Sequence, residues 1–314
     1  MGSAIAQQSI PVVIFCGGKG SRLREETEFK PKPMVEIGGR PMLWHIMKMY
    51  AHHGYRDFIL CLGYRGDQIK EYFLNHHVIS RDFHLDLKTN TTTVLSDEDM
   101  DDFRITFVDT GVETLTGERL LRAAKYLSGS EFMLTYGDGV SDVALTELHA
   151  YHRQQQAHHG VIGTVTGVHP KSKYGLVNVD ERRVVTAFVQ KPRLHDFTNG
   201  GFMVFTREFL RYCKQDQMVE DAIIDATNEA KIALYAHDGF WHCMDTYQDK
   251  EDLEHLWATD PQWKVWERTR PSLGVTSEQQ GVAPEEVRSM LKTNTRMDTN
   301  LRNVQGIRDI GVHS

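Results

Sequence analysis

The sequence predicts an α/β fold: a doubly wound, mixed but mainly parallel sheet flanked by helices, with a smaller β-rich part in its second half. Three observations carry this expectation. Short apolar runs rich in β-branched residues alternate with stretches of helical period through the first 140 residues. Two of those runs stop abruptly at glycine clusters, Gly17-Gly18 and Gly137-Asp138-Gly139. From about residue 160 the pattern changes to strand-like runs divided by turn residues.

Taken in order, Ile10 to Cys16 is an uninterrupted apolar run, as a strand buried on both faces requires. A loop rich in glycine and charge follows to about Gly39. Pro41 to Tyr50 then sets apolar residues at helical spacing, with Pro41 suited to a first turn. Phe58–Leu62 reads as a strand, Gln68–Leu74 as a helix, Phe103–Val108 as a strand, Gly117–Leu127 as a helix and Phe132–Tyr136 as a strand. Later strands are expected over Gly160–Val168, Gly175–Val179, Val184–Val189 and Gly201–Thr206. Helices are expected over Met218–Ala230 and Asp249–Trp257, with residues 239 to 245 as a loop between. Residues 268–314 contain few large apolar side chains beyond a short helical stretch, Pro284–Leu291. They form an extension to a catalytic domain at 10–267, and both an oligomerisation arm and partial disorder fit them.

Composition narrows the function. The 314 residues hold 36 basic and 43 acidic side chains, a net charge of -7, which disfavours a binder of nucleic-acid polymers or of anionic membranes. Within this total the extension has seven basic and five acidic residues, so the body before it carries about -9. Any polyanion must therefore be held by local charge. Cys16, Cys61, Cys213 and Cys243 are widely spaced without a CxxC pair, as expected of reduced, mainly buried thiols in the cytoplasm. No apolar run approaches the ~18 residues of a membrane span, and the N-terminus lacks the pattern of a signal peptide. The adjacent histidine pairs 52/53, 76/77 and 158/159 suit solvated or capping roles better than metal ligation.

Three constellations carry chemistry. Gly17-Gly-Lys-Gly-Ser-Arg-Leu23 directly follows a strand and precedes Lys30-Pro-Lys-Pro-Met34. Backbone N–H groups at glycines can approach a phosphate closely, and Lys19, Arg22 and Lys32 can neutralise a triphosphate. The spacing matches neither GxGxxG nor GxxxxGK[ST], and a tight turn with solvated lysines is the bland alternative. Asp138, between glycines at a strand's carboxyl end, is placed to bind Mg²⁺, with Asp245 as a second candidate ligand. Their bland roles are an Asp-Gly turn and a helix N-cap. Tyr174-Gly175, Phe188-Val-Gln-Lys-Pro192 and Asn199-Gly-Gly201 offer an ammonium and amides suited to a sugar phosphate, or are simply hairpin turns.

The order of these segments resembles that of the sugar-1-phosphate nucleotidyltransferases. That family carries a GGxGxRL loop, a downstream K-P motif, an aspartate on the central sheet, an E-K-P segment, an N-G-G segment and a late metal-binding aspartate. The wording of residues 30–50, Val108-Asp-Thr-Gly111, Thr116-Gly-Glu-Arg-Leu120, Thr135-Tyr-Gly-Asp-Gly139 and Gly239-Phe-Trp241 is most similar to its cytidylyl-transferring members. The resemblance covers roughly residues 10 to 267. It implies a Rossmann-like sheet and a cytoplasmic, homo-oligomeric enzyme that transfers a cytidylyl group from CTP to a sugar 1-phosphate with Mg²⁺. Carried over by position, Phe15, Cys16, Gly17, Gly18, Lys19 and Gly20, with Ser21 and Arg22, would cradle the nucleotide. Lys32 would meet the α-phosphate, and Thr114 and Arg119 would bind nucleotide. Asp138 and Asp245 would hold the metal, with Arg22, Lys32 and Asp138 as the catalytic set. Lys191 would meet the sugar phosphate, while Tyr174, Gly175, Gln190, Asn199 and Gly200 would line the sugar.

Two departures from the family pattern stand out. Gln190 replaces the glutamate of E-K-P, which bears on sugar identity. His242 and Cys243 stand beside the metal aspartate where the family carries other residues. The same motifs would also serve UTP, dTTP or another NTP, or a sugar-nucleotide sensor that kept the fold without turnover.

Overall fold

The computed structural model describes residues 10–20, 23–79, 81–95 and 101–267. Ser21, Arg22, the N-terminal segment and the whole extension 268–314, with its expected helix, lie outside the described residues.

A seven-stranded sheet organises the molecule: β1 (Val12–Cys16), β2 (Asp57–Leu62), β3 (Arg104–Asp109), β4 (Glu131–Tyr136), β5 (Gly163–Val168), β6 (Thr198–Thr206) and β7 (Ile232–His237). Their spatial order is β7-β5-β6-β4-β1-β2-β3. All strands run parallel except β6, which pairs antiparallel with both β4 and β5. The mixed, mainly parallel sheet is thus as expected. β1 has β2 on one side and β4 on the other, and a chain that winds away in both directions from one strand leaves a crevice at the carboxyl ends.

The reason β1 reads as one apolar run is visible in its packing. Val12, Ile14 and Cys16 enter one core layer, and Val13 and Phe15 enter the other. Each fully buried large side chain contributes about 1.5–3 kcal/mol. Helices α1 (Met42–His52), α2 (Gly66–Ile79), α4 (Leu145–His159) and α6 (Tyr247–Thr259) feed the first layer, which Trp263 completes. Helices α3 (Thr116–Ala123) and α5 (Val219–Asn228) feed the second. Gly160, in the left-handed region at φ 65°, ends α4.

Several elements differ from expectation. Pro41 is the N-cap of α1 and bridges Glu36 in a two-residue strand pair, so the helix begins one residue later. Helix α2 is twice the expected length because its polar half is solvent-facing. Residues 239–245 are not wholly loop: Trp241–Cys243 pairs antiparallel with Gly139–Ser141. The edge strand β7 and the hairpin Phe83–Asp86/Thr91–Val94 add to the expected set. None of the adjacent histidine pairs is buried, whereas His45 and His152, outside those pairs, are fully buried. The β-rich part includes a two-stranded ribbon, Leu176–Val179 with Val185–Val189, whose side chains are almost all exposed. No helix among the described residues is long and apolar enough to cross a membrane.

Candidate active site

The loop after β1 is held from beneath by Arg119. This side chain is 4% exposed, and its two terminal nitrogens donate to five acceptors: Leu62 O at 3.1 Å, Thr110 Oγ1 at 2.6 Å, Gly111 O at 2.8 Å, Gly17 O at 3.2 Å and Val112 O at 3.1 Å. A Cβ at Gly17 would collide with this guanidinium, which is why glycine is required there. Arg119 therefore touches the glycine loop through a backbone carbonyl, and its donors face protein rather than the open crevice. Tyr64 N–H adds a second bond to Gly17 O at 3.2 Å. Phe15 and Cys16 offer the crevice only backbone, since the Phe15 ring packs against Tyr136 and the Cys16 thiol, raised by burial, lies in the core. Lys19 is exposed and paired with Glu113 at 2.5 Å. Thr114 is half-buried on the facing loop, beside Gly111.

Lys32 sits on a single 3-10 turn, Lys32–Met34, stiffened by Pro31 and Pro33. Pro33 packs against the end of β4: a Cβ on Gly137 would lie 2.8 Å from Pro33 Cγ and 2.9 Å from Phe15 O. The glycine before Asp138 is thus what lets the Lys-Pro turn reach the sheet. Beyond it, Gly139–Ser141 pairs with Trp241–Cys243, with Cys243 opposite Gly139, and Met244 N–H donates to Asp138 O at 2.9 Å. That ribbon brings Asp245 beside Asp138 across the gap in sequence. Lys32 Nζ donates to Asp138 Oδ2 at 2.6 Å and to Asp245 Oδ1 at 2.8 Å. Burial works against the Lys32 charge, but the two carboxylates overcome it and hold the ammonium well above its ordinary pKa.

Asp249, at N3 of α6, secures Asp245. Its Oδ2 accepts from Asp245 N–H at 3.0 Å, Thr246 N–H at 2.7 Å and Thr246 Oγ1 at 2.8 Å. Thr246, not Asp245, is the N-cap, and Thr246 with Asp249 forms a capping box. Lys173 Nζ stands 4.0 Å from Asp245 Oδ2 and 3.6 Å from Asp249 Oδ2. Asp138, Cys243 and Asp245 each offer one ligand atom, all within 4.8 Å of one another, so the centre has the donors to hold a metal ion.

The expected sugar side is brought near by the second ribbon. Leu176 lies opposite Val189, and a Cβ on Gly175 would sit 2.8 Å from Gln190 Oε1, so Gly175 and Gln190 are neighbours. Trp241 Nε1–H donates to Gly200 O at 2.8 Å, tying Asn199-Gly200 to the strand that carries Cys243. The side chains of Tyr174, Gln190, Lys191 and Asn199 are exposed. Lys191 occupies the left-handed region at φ 47°, an uncommon conformation for lysine at the ribbon's end.

Two carboxylates and a lysine thus meet beside the glycine loop, at the point where the sheet winds both ways. Residues 11–252 match the nucleotidyl transferase family. The chain belongs to that family. It is 40% identical to a probable glucose-1-phosphate cytidylyltransferase of Bacillus subtilis over 258 residues, 81% of this chain and 99% of the relative. It is 39% identical to the glucose-1-phosphate cytidylyltransferase of Salmonella typhi over 260 residues, again 81% and 99%. The fold matches that of a UDP-glucose pyrophosphorylase solved with UDP-glucose, at a TM-score of 0.56 and 12% identity, covering 80% of this chain and 98% of the other. In this nucleotidyltransferase, sequence motifs had marked Lys32, Asp138 and Asp245, and the structure gathers all three. Lys173, Asp249 and Cys243 join them without a motif of their own, although T-x-x-D at 246–249 is a capping signature that points to Asp249.

Proposed function

We propose that the protein transfers a cytidylyl group from CTP to a sugar 1-phosphate, with glucose 1-phosphate the first candidate, giving a CDP-sugar and pyrophosphate. The convergence of Lys32, Asp138 and Asp245 beside the Gly17–Gly20 loop carries this reading, and the near-full-length relatives supply the choice of base and sugar. A phosphate oxygen of the sugar attacks the α-phosphorus of CTP, the bond to the β-phosphate breaks, and pyrophosphate leaves. Such transfers depend on positioning and charge neutralisation more than on covalent help from the protein.

The carboxylates of Asp138 and Asp245 fit Mg²⁺, because two hard oxygens already converge on one cationic group, the Lys32 ammonium. Mg²⁺ held there would supply a template and a Lewis acid. Backbone N–H groups of residues 17–20 bind phosphate oxygens, and Lys32 stabilises charge that accumulates on the transferring group. Arg119 keeps the loop carbonyls turned away from the nucleotide. Gln190, Lys191 and the Asn199-Gly200 turn receive the sugar phosphate, and Gln190 can both donate to and accept from a hydroxyl. Residues 10–267 form the catalytic domain and 268–314 an appended extension. Association into a homo-oligomer is supported by exposed Val177, Val185, Phe188 and Val189 on the projecting ribbon. The free cysteines, three of them buried, suit the cytoplasm.

The test is pyrophosphate release with CTP, UTP and dTTP against glucose 1-phosphate, in wild type and Asp138→Asn. CTP is expected to be preferred, and Asp138→Asn to lower turnover at least about a hundredfold. Equal use of UTP overturns the base, unchanged turnover in Asp138→Asn overturns the metal assignment, and no turnover with any of the three favours a non-catalytic nucleotide-sugar binder.

A further inference from the structure

Cys243 puts sulfur into a centre otherwise built from oxygen. Its place is set by strand register: it lies opposite Gly139, the residue after Asp138, and the Met244 N–H bond to Asp138 O at 2.9 Å locks that pairing. Its Sγ and one oxygen from each of Asp138 and Asp245 lie within 4.8 Å of one another, and this is the only such group of three among the described residues. The group already surrounds positive charge, since the Lys32 ammonium rests 2.6 Å from Asp138 Oδ2 and 2.8 Å from Asp245 Oδ1. The other thiols are elsewhere: Cys16 and Cys61 are fully buried in the core and Cys213 is 7% exposed.

The donor set decides which cation this cradle suits. Mg²⁺ takes oxygen and gains nothing from sulfur, whereas Zn²⁺ and Co²⁺ accept mixed thiolate and carboxylate ligands. Along the first transition series, affinity for such a mixed site rises well above that for the hard ions. A Zn²⁺ ion with one sulfur and two oxygens would also keep a fourth position open.

We propose that this centre takes a borderline divalent cation of the Zn²⁺ class through Cys243 Sγ together with the carboxylates of Asp138 and Asp245, in competition with Mg²⁺. The proposal rests on the assignment of Asp138 and Asp245 as metal ligands. When the metal–sulfur bond forms, the thiol proton passes to solvent and the Lys32 ammonium leaves the cradle with its charge intact. No electron is transferred. The consequence is a nucleotidyltransferase whose metal centre is inhibited by traces of zinc in a way an all-oxygen centre would resist.

The full-length, metal-free protein titrated with Co²⁺ tests this. One equivalent is expected to produce a sulfur-to-Co²⁺ charge-transfer band in the near ultraviolet that excess Mg²⁺ bleaches and that Cys243→Ser and Cys243→Ala lack. Competition titrations are expected to show the ratio of Zn²⁺ to Mn²⁺ affinity falling at least about tenfold in Cys243→Ser. Mn²⁺ binding, followed by electron paramagnetic resonance in wild type and Asp138→Asn, separates the two layers of inference. If Asp138→Asn binds Mn²⁺ as wild type does, the ligand assignment itself fails. If Mn²⁺ binding needs Asp138 but wild type gives no sulfur band with Co²⁺, or the band persists in the Cys243 variants, the sulfur ligand alone is overturned.

Discussion

The Arg119 guanidinium donates to protein acceptors on three segments, and Arg119→Ala tests what that clamp contributes. The substitution leaves five acceptors, from Leu62, Thr110, Gly111, Gly17 and Val112, without their shared donor. Gly17 O keeps its bond from Tyr64 N–H and Leu62 O its bonds from Thr110 N–H and Oγ1, so three acceptors lose their donor, and at about 1–3 kcal/mol for each buried acceptor left unsatisfied a simple sum is about 3–9. Two effects reduce it. Water can enter the space vacated by the side chain, and the desolvation cost of the guanidinium disappears with the charge. The expected loss is therefore about 3–5 kcal/mol, the range seen when one member of a buried charged network is removed, out of the 5–15 typical of a whole domain. Equilibrium urea unfolding of the nucleotide-free protein, followed by tryptophan fluorescence, reads this directly. Because Gly17 O is among the five, nucleotide affinity falls too, through disorder of the loop, and Arg119→Lys recovers part of both effects. If Arg119→Ala is within about 1 kcal/mol of wild type while CTP affinity drops a hundredfold, the guanidinium meets the nucleotide itself and the clamp is refuted.

The remaining expectations concern metal geometry and acid. Asp249→Ala removes the acceptor for the N–H groups of Asp245 and Thr246. It is expected to cost about 1–2 kcal/mol of stability and about tenfold or more in Mn²⁺ affinity, and an affinity within twofold of wild type would show that Asp245 needs no such support. Burial draws His45 and His152 down from an ordinary 6.5 to about 4, so the unfolded chain takes up their protons first. Their contribution is complete above pH 6.5 and is lost as pH falls toward 4, about 3 kcal/mol for each ring at most. Glu131, held down to about 2 chiefly by its bond from His149, adds a further loss from pH 4.5 downward. Urea midpoints at pH 7, 5.5 and 4 that stay level would contradict both histidine assignments.

The parts of the fold legible in sequence are those whose environment is uniform along the chain. β1 is buried on both faces and flanked by parallel strands, so every residue of it is apolar. β7 pairs on one side only and is half-exposed along its length, and two of the five residues of its apolar run, Ile232-Ala-Leu-Tyr-Ala236, are alanines, which favour strands little. Trp241–Cys243 is three residues long, and its partner lies a hundred residues earlier, so no local pattern encodes the pairing. The site divides in the same way. Lys32 and Asp138 are framed by prolines and glycines that close packing demands, and those framing residues are what a reader sees first. Arg119 stands in a recognisable motif, yet the direction its guanidinium faces is set by four carbonyls from three other segments. His45 illustrates the limit: its Nε2 lies 2.8 Å from Ile37 O, which can only accept, and its Nδ1 lies 3.4 Å from Trp263 Nε1, which can only donate. One neutral tautomer satisfies both contacts, and the composition gives no hint of it.

The small ribbon of Gly139–Ser141 with Trp241–Cys243 has a consequence for how such enzymes diversify. It works as a clasp, closing a long excursion of chain whose two ends each deliver one of the carboxylates that meet Lys32. The entropy of closing a loop grows only slowly with its length. The excursion, including the exposed ribbon and Gln190, can therefore be lengthened, trimmed or rewritten at little cost to the centre, provided its ends still meet in register. The exposed part of the excursion is thereby free to drift, while the two carboxylates around Lys32 stay where they are.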